Sequence, residues 1–189
     1  MRLTIIGAPN SGKGTQGKLL AQKLGLFYLS TGSFFREHFQ SNTLFYDYTK
    51  YQFNNGLLCS DDTMNRFMKS LFDKEKIPGN NYLIDSYPRT LPQAKFFDDF
   101  VQGNFNVLFL KISKEVSIER ALARYSQEQR HDDLVAERRW EVFRSQTLSL
   151  VGFYRKEGLL IEQDGVGDIA AINKKLEEKI RSHYGLWLF

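Results

Sequence analysis

A glycine-rich segment that contains one lysine follows a short apolar run near the start of the chain: Gly7-Ala8-Pro9-Asn10-Ser11-Gly12-Lys13-Gly14-Thr15. Backbone N–H groups can surround a phosphate closely, and the start of a helix adds partial positive charge to them. Lys13 adds a mobile cation, and the Thr15 hydroxyl can face Mg²⁺ or a phosphate oxygen. Gly14 stands where the usual pattern has Ser or Thr directly after the lysine. The segment predicts a phosphate-binding loop, and the competing interpretation is a glycine-rich turn that binds nothing.

Arginines farther along the chain could bind more phosphate oxygens, because a planar guanidinium matches their geometry. Those singled out are Arg36, Arg89, Arg120, Arg124, Arg130 and Arg139. Arg120 and Arg124 are four residues apart, so they share one face of a helix. A lone arginine is more often a solvated surface charge, so each assignment depends on the surrounding motif. Asp85, which follows an apolar run, is either a turn carboxylate or a ligand that organises Mg²⁺ through water.

The composition is that of an ordinary globular protein: of 189 residues, 42% are apolar and 25% are charged, with a net charge of +4. Both signs of charge are spread along the chain without a long Lys/Arg tract, which favours a small polyphosphate ligand over nucleic acid. Cys59 is the single cysteine, so neither an intrachain disulfide nor a four-cysteine zinc site can form. No apolar run is long enough to cross a membrane. We expect a cytoplasmic protein that binds neither nucleic acid nor membrane.

Apolar runs of strand length alternate with helical patterns along the chain. The predicted strands are residues 3–6, 27–29, 82–84, 107–110 and 159–161. The predicted helices are residues 12–24, 33–50, 61–72, 93–100, 116–124, 134–155 and 169–180. This alternation indicates a parallel sheet covered by helices on both faces. Ligands of such sheets bind at the carboxyl ends of the strands, so we expect the site after Leu29, Ile84 and Leu110.

Motifs along the whole chain resemble those of the adenylate kinase family, in the same order. They are the loop ending in Lys13-Gly14-Thr15-Gln16, Ser30-Thr31-Gly32 with Arg36, Gly56 to Asp61, Asp85-Ser86-Tyr87-Pro88-Arg89-Thr90 with Gln93, Arg120 with Arg124, Arg130-His131-Asp132-Asp133 with Arg139, and Leu150 to Tyr154 with Asp164-Gly165. The resemblance implies a three-layer α/β fold of the P-loop kinase kind, with a five-stranded parallel sheet in the order 2-3-1-4-5 flanked by helices. It also implies one domain over residues 1–189, with a monophosphate-binding insertion at about 30–60 and a very short lid at about 125–133.

The resemblance further implies a monomeric enzyme that transfers a phosphoryl group reversibly, ATP plus AMP giving two ADP, with Mg²⁺. The implied ATP site consists of Pro9, Asn10, Ser11, Gly12, Lys13, Gly14, Thr15, Arg120, Arg124 and Gly167. The implied AMP site consists of Thr31, Gly32, Arg36, Leu57, Leu58, Cys59, Ser86, Arg89, Gln93, Arg130 and Arg139. The implied catalytic residues are Lys13, Arg89, Arg120, Arg124 and Arg139, and Asp85 would hold Mg²⁺ through water. Such a reaction needs charge neutralisation, alignment and exclusion of water more than a covalent catalyst.

Three residues favour AMP as the phosphoryl acceptor. Thr31 and Thr90 are what adenylate kinases carry, whereas the similar UMP/CMP kinases usually have alanine and asparagine at these places, and Gln93 could hydrogen-bond the adenine edge. One alternative is a UMP or CMP kinase. The other is a nucleotide-binding protein with weak or lost kinase activity, which the shortened lid and the replacement of family glycines by Asn10 and Ser86 favour.

The stretch from Arg130 to Arg139 is about two residues shorter than the family spacing. Two residues amount to about 200° of rotation on an α-helix, so a continuous helix would turn these arginines toward different sides. Asp132 and Asp133 are good first-turn residues. We therefore expect the helix to begin near them and to leave Arg130 in a turn before it.

Overall fold

The computed structural model describes residues 1–38, 40, 43–103 and 105–185, and a five-stranded sheet lies at the centre of this part of the chain. The strands are β1 (Arg2–Gly7), β2 (Phe27–Ser30), β3 (Tyr82–Asp85), β4 (Asn106–Lys111) and β5 (Leu160–Asp164). All neighbouring strands are parallel, in the order β2-β3-β1-β4-β5, which confirms the predicted sheet. Ile5 of β1 stands beside Asp85 of β3 and Leu108 of β4. The carboxyl ends of these three central strands therefore meet at one edge.

Helices cover both faces of the sheet. They are α1 (Lys13–Leu24), α2 (Thr31–His38), α3 (Leu44–Asn54), α4 (Asp61–Asp73), α5 (Leu91–Val101), α6 (Lys114–Glu128), α7 (Ala136–Val142), α8 (Ser149–Lys156) and α9 (Ile169–His183). Leu3 and Ile5 of β1 belong to a buried layer with Leu20 of α1 and Leu176 of α9. Ile6 belongs to the opposite layer, with aromatic side chains of α5 and α8. This alternation is what a strand buried on both faces requires, and it produces the three predicted layers.

Several helix boundaries follow from local sequence signals. Gly25 ends α1 with a left-handed backbone (φ 64°), because glycine enters that region without steric cost. Ser60 begins α4 by accepting a hydrogen bond from the Thr63 N–H. The helices predicted after the loop and after Ser60 are therefore confirmed. No helix in the described ranges is both long and apolar enough to cross a bilayer.

The helix predicted for residues 33–50 is two helices in the structure, so that prediction was wrong. α2 ends at His38 and α3 begins at Leu44. Residues 39, 41 and 42, which the prediction included, lie outside the described residues. The second helix begins because Thr43 has an extended backbone and its hydroxyl accepts from the Tyr46 N–H.

The helix predicted for residues 134–155 is interrupted by a π-helical turn, Phe143–Thr147, between α7 and α8. The predicted start of this helix, near Asp132 to Leu134, was also wrong. A 3₁₀ turn, His131–Asp133, comes first, and α7 begins only at Ala136. The Asp132 and Asp133 carboxylates contact arginine side chains, so they are used in tertiary ion pairs in place of a helix start. Arg130 does precede the helix, as predicted.

Candidate active site

β1 leads directly into a loop that closes tightly against the sheet. Gly7 has a φ of 151°, and a Cβ at this position would lie 2.6 Å from the Leu110 carbonyl oxygen, so only glycine fits. Asn10 has a left-handed backbone (φ 59°), which asparagine tolerates better than most residues. Its side-chain amide donates to the Ser117 carbonyl of α6 at 3.1 Å. The loop therefore accommodates asparagine where the family has glycine.

Lys13, the first residue of α1, lies at the centre of this loop. Its ammonium donates to the carbonyl oxygens of Gly7 at 2.9 Å and Ala8 at 2.6 Å. Burial lowers the pKa of Lys13 to about 7, the Asp85 carboxylate opposes this shift, and three arginines of the same site add to it. A cation destabilised by its surroundings gains free energy when an anion such as phosphate binds beside it.

Asp85 ends β3 beside the loop and is only 4% exposed. Both carboxylate oxygens accept hydrogen bonds from hydroxyl groups: Oδ2 from Tyr28 at 2.9 Å and Oδ1 from Ser86 at 2.8 Å. A Cβ on Gly17 would lie 2.8 Å from the Tyr28 ring, so this glycine lets the tyrosine reach the carboxylate. Ser86 has a left-handed backbone (φ 71°), a region that glycine enters more easily. The orientation of the carboxylate is therefore fixed by its neighbours.

The donor groups near Asp85 fit a magnesium ion that is carried in by a nucleotide. Mg²⁺ at such sites keeps several waters and uses one or two protein oxygens together with phosphate oxygens. Asp85 and Thr15 line the same cleft, and Asp85 Oδ2 lies 3.7 Å from the place of a Gly14 Cβ. A carboxylate and a hydroxyl are thus available directly beside the phosphate-binding loop.

The loop opens onto a cleft of about 680 Å³ at the carboxyl edge of the sheet. Positive side chains outnumber negative ones around it: the cations are Lys13, Lys18, Arg36, Arg89, Arg120, Arg124, Arg130 and Arg139, and the anions are Asp85, Glu128 and Asp132. Such an excess of positive charge in a concave site attracts polyphosphates.

This cleft brings together most of the residues that the sequence predicted for the two nucleotides. Those that line it are Pro9, Asn10, Ser11, Gly12, Lys13, Gly14, Thr15, Gly32, Arg36, Leu57, Leu58, Asp85, Ser86, Arg89, Arg120, Arg124, Arg130, Arg139 and Gly167. The remaining three, Thr31, Cys59 and Gln93, line a smaller cavity that adjoins the cleft through Leu57, Leu58 and Arg89.

Arg120 and Arg124 lie one turn apart on α6 and both line the cleft. Arg120 donates to the Gly165 carbonyl at 2.9 Å. Arg124 donates from Nε to Asp133 Oδ2 at 2.8 Å and from Nη2 to Asp133 Oδ1. Burial opposes the charge on Arg124, but the Asp133 carboxylate raises its pKa overall. Because the Asp133 side chain is fully buried, this two-point contact fixes the plane of the guanidinium.

Arg130 and Arg139 reach one carboxylate from opposite ends of the shortened segment. Asp132 Oδ2 lies 3.1 Å from Arg130 Nη2 and 2.8 Å from Arg139 Nη1. The rotation expected on a continuous helix does not separate these arginines, because Arg130 precedes the helix. Burial lowers the pKa of Arg139 to about 10, Asp132 opposes this shift, and neighbouring arginines add to it.

Two further arginines face the cleft from α2 and from the chain after β3. Arg36 donates to the Ser33 hydroxyl at 3.3 Å, and Arg89 donates to the Ser86 carbonyl at 2.9 Å. Burial lowers the pKa of both guanidinium groups. Like Lys13, they are cations in surroundings that favour the arrival of an anion.

The segment after α3 closes over the cleft and contacts the arginines on its far side. Gly56 has a left-handed backbone (φ 68°), and a Cβ there would lie 3.1 Å from side-chain carbons of both Arg139 and Val135. Phe53, Leu57 and Leu58 line the cleft next to it. Residues 44–58 therefore form one wall of the site and α7 forms the facing wall.

The smaller cavity is mostly apolar. Its lining includes Phe35, Leu57, Leu58 and Met64, with the Gln93 amide as a polar group. Burial raises the pKa of the Cys59 thiol to about 11, so this side chain is neutral at pH 7. A lining that is apolar with few polar groups has the chemical character of a site for a flat heterocyclic base, and Arg89 lines both this recess and the cleft.

Four side chains of the site were missed in the sequence interpretation: Tyr28, Asp61, Asp132 and Asp133. Tyr28 was assigned only to a strand, Asp61 had no role, and the two aspartates were assigned to a helix start. The Arg-His-Asp-Asp run near other arginines was an available signal for ion pairs, since buried carboxylates require partners. Nothing in the local sequence points to the contact of Tyr28 with Asp85, because 57 residues separate them.

Comparison with known proteins agrees with this geometry. Residues 5–159 match the family model described as adenylate kinase. An adenylate kinase from Synechococcus sp. (strain WH7803) is 33% identical over 183 residues, covering 95% of this chain and 98% of the relative. One from Azobacteroides pseudotrichonymphae genomovar. CFP2 is 34% identical over 187 residues, covering 95% and 97%. One from Tropheryma whipplei (strain Twist) is 32% identical over 184 residues, covering 94% and 96%. The chain belongs to the adenylate kinase family and is a phosphotransferase.

Proposed function

We propose that this protein transfers a phosphoryl group from ATP to AMP, giving two ADP, and that the reaction is reversible. One observation carries the proposal. A single cationic cleft joins the loop around Lys13 to a second group of arginines, and that second group adjoins an apolar recess with Gln93 on its wall. Two phosphate-binding regions in one cleft suit direct transfer between two nucleotides.

The ATP phosphates would lie on the loop at the start of α1. The loop N–H groups and Lys13 would hold them, and Arg120 and Arg124 would approach from α6. Gly167 lines the same cleft, just before α9. Arg139 would join Lys13, Arg120 and Arg124 in stabilising charge on the transferring group, which is the main requirement of this reaction.

The AMP phosphate would lie between α2 and β3. Arg36, Arg89, Arg130 and Arg139 would bind its oxygens, and the base would enter the recess formed by Thr31, Gly32, Leu57, Leu58, Cys59, Ser86 and Gln93. The recess volume of about 30 Å³ is smaller than a purine. Binding would therefore require the wall formed by residues 44–58 to move outward.

Magnesium is the cofactor that the family uses with ATP, and it would neutralise negative charge on the ATP phosphates. Asp85 would hold the ion through water, with the Thr15 hydroxyl nearby. Tyr28 and Ser86 orient the carboxylate for this role, since each donates to one of its oxygens.

We further propose a single domain over residues 1–189 that acts as a monomer. The monophosphate-binding segment would be about 30–60, and the lid would be the short connection at about 125–133. In this arrangement Arg130 of the lid and Arg139 of α7 would reach the phosphates without a separate lid domain, since both contact the Asp132 carboxylate.

The test is a coupled assay of ADP formation with Mg-ATP and each of AMP, GMP, CMP and UMP. We expect the highest kcat/KM for AMP. Lys13→Ala, purified identically, should show a kcat lower by on the order of 10²-fold or more, which would exclude a contaminating kinase. A higher value for UMP or CMP would establish the pyrimidine alternative. Nucleotide binding without turnover for any acceptor would establish a binding protein that has lost kinase activity.

A further inference from the structure

The side-chain amide of Gln93 has only one possible orientation in this structure. Its Oε1 accepts from the Arg89 backbone N–H at 2.8 Å, and its Nε2 donates to Asp61 Oδ1 at 2.9 Å. A backbone N–H can only donate and a carboxylate can only accept. The oxygen of the amide must therefore face Arg89 and the nitrogen must face Asp61.

Two further hydrogen bonds hold this arrangement together. The Thr90 hydroxyl donates to the same Asp61 oxygen at 2.6 Å and accepts from the Gln93 N–H at 3.3 Å. Thr90 caps α5, and Asp61 is the first residue of α4. The carboxylate thus joins the starts of two helices from different parts of the chain. Gln93 itself is only 1% exposed, so water cannot easily substitute for either partner.

The hydrogen-bonding groups of the Gln93 amide that remain unpaired form a defined pattern of one acceptor and one donor. One lone pair of Oε1 and one hydrogen of Nε2 remain unused. Together they match the 6-amino group and N1 of adenine, which donate and accept in that order. A 6-oxopurine presents the reverse pattern, with an acceptor at O6 and a donor at N1.

To recognise a 6-oxopurine, the Gln93 amide would have to rotate by about 180°, so that its oxygen and nitrogen exchange places. Its nitrogen would then face the Arg89 N–H, donor against donor, and its oxygen would face the Asp61 carboxylate, acceptor against acceptor. Both contacts would be buried and unpaired, and such contacts are costly. The Arg89 N–H and the Asp61 carboxylate therefore stabilise one of the two amide orientations over the other.

We propose that Asp61 is a positioning residue that determines base specificity: it holds Gln93 in the orientation that reads a 6-aminopurine and thereby excludes 6-oxopurine monophosphates. This inference depends on the proposed function, since it concerns the acceptor site of the same reaction. Asp61 need not touch the nucleotide, because it acts through Gln93.

The test compares AMP with inosine monophosphate, which differs from it only at the 6-position and N1. Asp61→Asn keeps the size of the side chain, and its amide can either accept from or donate to Gln93. We expect the ratio of kcat/KM for inosine monophosphate to that for AMP to rise by about tenfold, the scale of one unpaired buried group. The change should lie in KM for the two acceptors, with kcat for AMP within about twofold of the unmodified protein.

Asp62→Asn is the matched control. Asp62 is in the same first turn of α4, so its loss has the same effect on the helix dipole, but its side chain is 68% exposed and pairs with Arg66 on the same helix. The acceptor ratio should be unchanged in this variant. Thermal unfolding of both variants measures any loss of stability.

Asp61→Ala provides a second variant, since it removes the acceptor entirely and should raise the same ratio. Calorimetric binding of the two monophosphates gives the ratio without turnover. An unchanged ratio in both Asp61 variants, or an equal rise in Asp62→Asn, overturns the proposal. If the unmodified protein does not phosphorylate AMP, the proposed function fails, and that result is obtained before any variant is made.

Discussion

The phosphate cleft and the base recess differ in the contacts of their polar side chains: the cleft contains unbalanced charges, whereas the recess contains a hydrogen-bonded amide. Around the cleft, eight lysines and arginines face three carboxylates, and burial lowers the pKa of several of the cations. In the recess the key polar group, Gln93, has both ends of its amide paired within the protein. The cleft thus lacks enough negative charge to balance its cations, whereas in the recess each end of the Gln93 amide already has a partner within the protein.

We therefore expect the cleft to determine affinity and rate, and the recess to determine which acceptor is used. Unbalanced cations gain most when phosphates bind, so they provide driving force for binding and for stabilisation of the transferring group. An amide that its protein partners hold in one orientation gains less from a ligand than an unbalanced cation does, but it penalises a ligand with the reverse hydrogen-bonding pattern. Substitutions in the cleft should change rates strongly and can even raise stability, whereas those in the recess should change the choice of acceptor.

The largest expected effects are those of Lys13→Ala and Arg89→Ala. Each variant removes charge stabilisation and should lower kcat by on the order of 10²-fold or more. Lys13→Ala should leave AMP binding largely intact, whereas Arg89→Ala should weaken it, since Arg89 adjoins the recess. Turnover assays and calorimetric titration with AMP measure the two effects. Equal AMP affinity in the two variants would contradict the division between the two phosphate sites.

Within the cleft, the two arginines that share Asp132 should not be equivalent. Arg139 also contacts Asp133 at 3.5 Å and the Asp132 carbonyl at 3.3 Å, whereas the other ion pair of Arg130 among the described residues is with Glu128 at 3.9 Å. We expect Arg139→Ala to lower kcat at least tenfold more than Arg130→Ala, on the scale of one well-placed donor. If the two variants are equally impaired in kcat, the shortened segment positions both arginines alike.

The burial of Lys13, to which the neighbouring arginines add, should cost stability, and Lys13→Met tests this cost. The unfolded-state pKa is near 10.5 and the folded-state pKa is about 7, so the folded protein binds fewer protons between these values. The destabilisation is therefore greatest below pH 7 and fades as the pH approaches 10. We expect the nucleotide-free variant to melt above the unmodified protein at pH 6, by about 2–4 °C for each kcal/mol recovered. Calorimetric melting at pH 6 and pH 9 measures the difference, and a larger gap at pH 9 would contradict this account.

The smallest expected effect concerns shielding of the cleft. Only residues 129–135 connect α6 to α7, and so short a connection, part of the proposed lid, should exclude water poorly from the transferring phosphate. We expect slow ATP hydrolysis in the absence of AMP, detectable as phosphate release and lost in Lys13→Ala. Phosphate release that is equal in the two proteins would indicate that water does not reach the bound phosphate.

The sequence pattern predicted the five parallel strands and the phosphate-binding loop, and the resemblance to the adenylate kinase family implied the sheet order and most of the residues that meet in the cleft. These features follow from local patterns and ordered motifs, because a strand, a glycine-rich loop and a helix start are specified by neighbouring residues. Patterns of this kind also placed Gly25 and Ser60 at helix ends. These patterns did not predict the helix end between α2 and α3, where the sequence has no strong helix-ending residue.

Only the tertiary structure decided which side chains hold the functional groups in place. Tyr28 meets Asp85 across 57 residues, and Asp61 meets Gln93 across 32, so no local pattern records either contact. Asp132 and Asp133 illustrate the reason. By themselves they are good helix-start residues, but three arginines contact them once the chain is folded. Pairing of buried charges then outweighs a helix-dipole contact of about 0.3–1 kcal/mol.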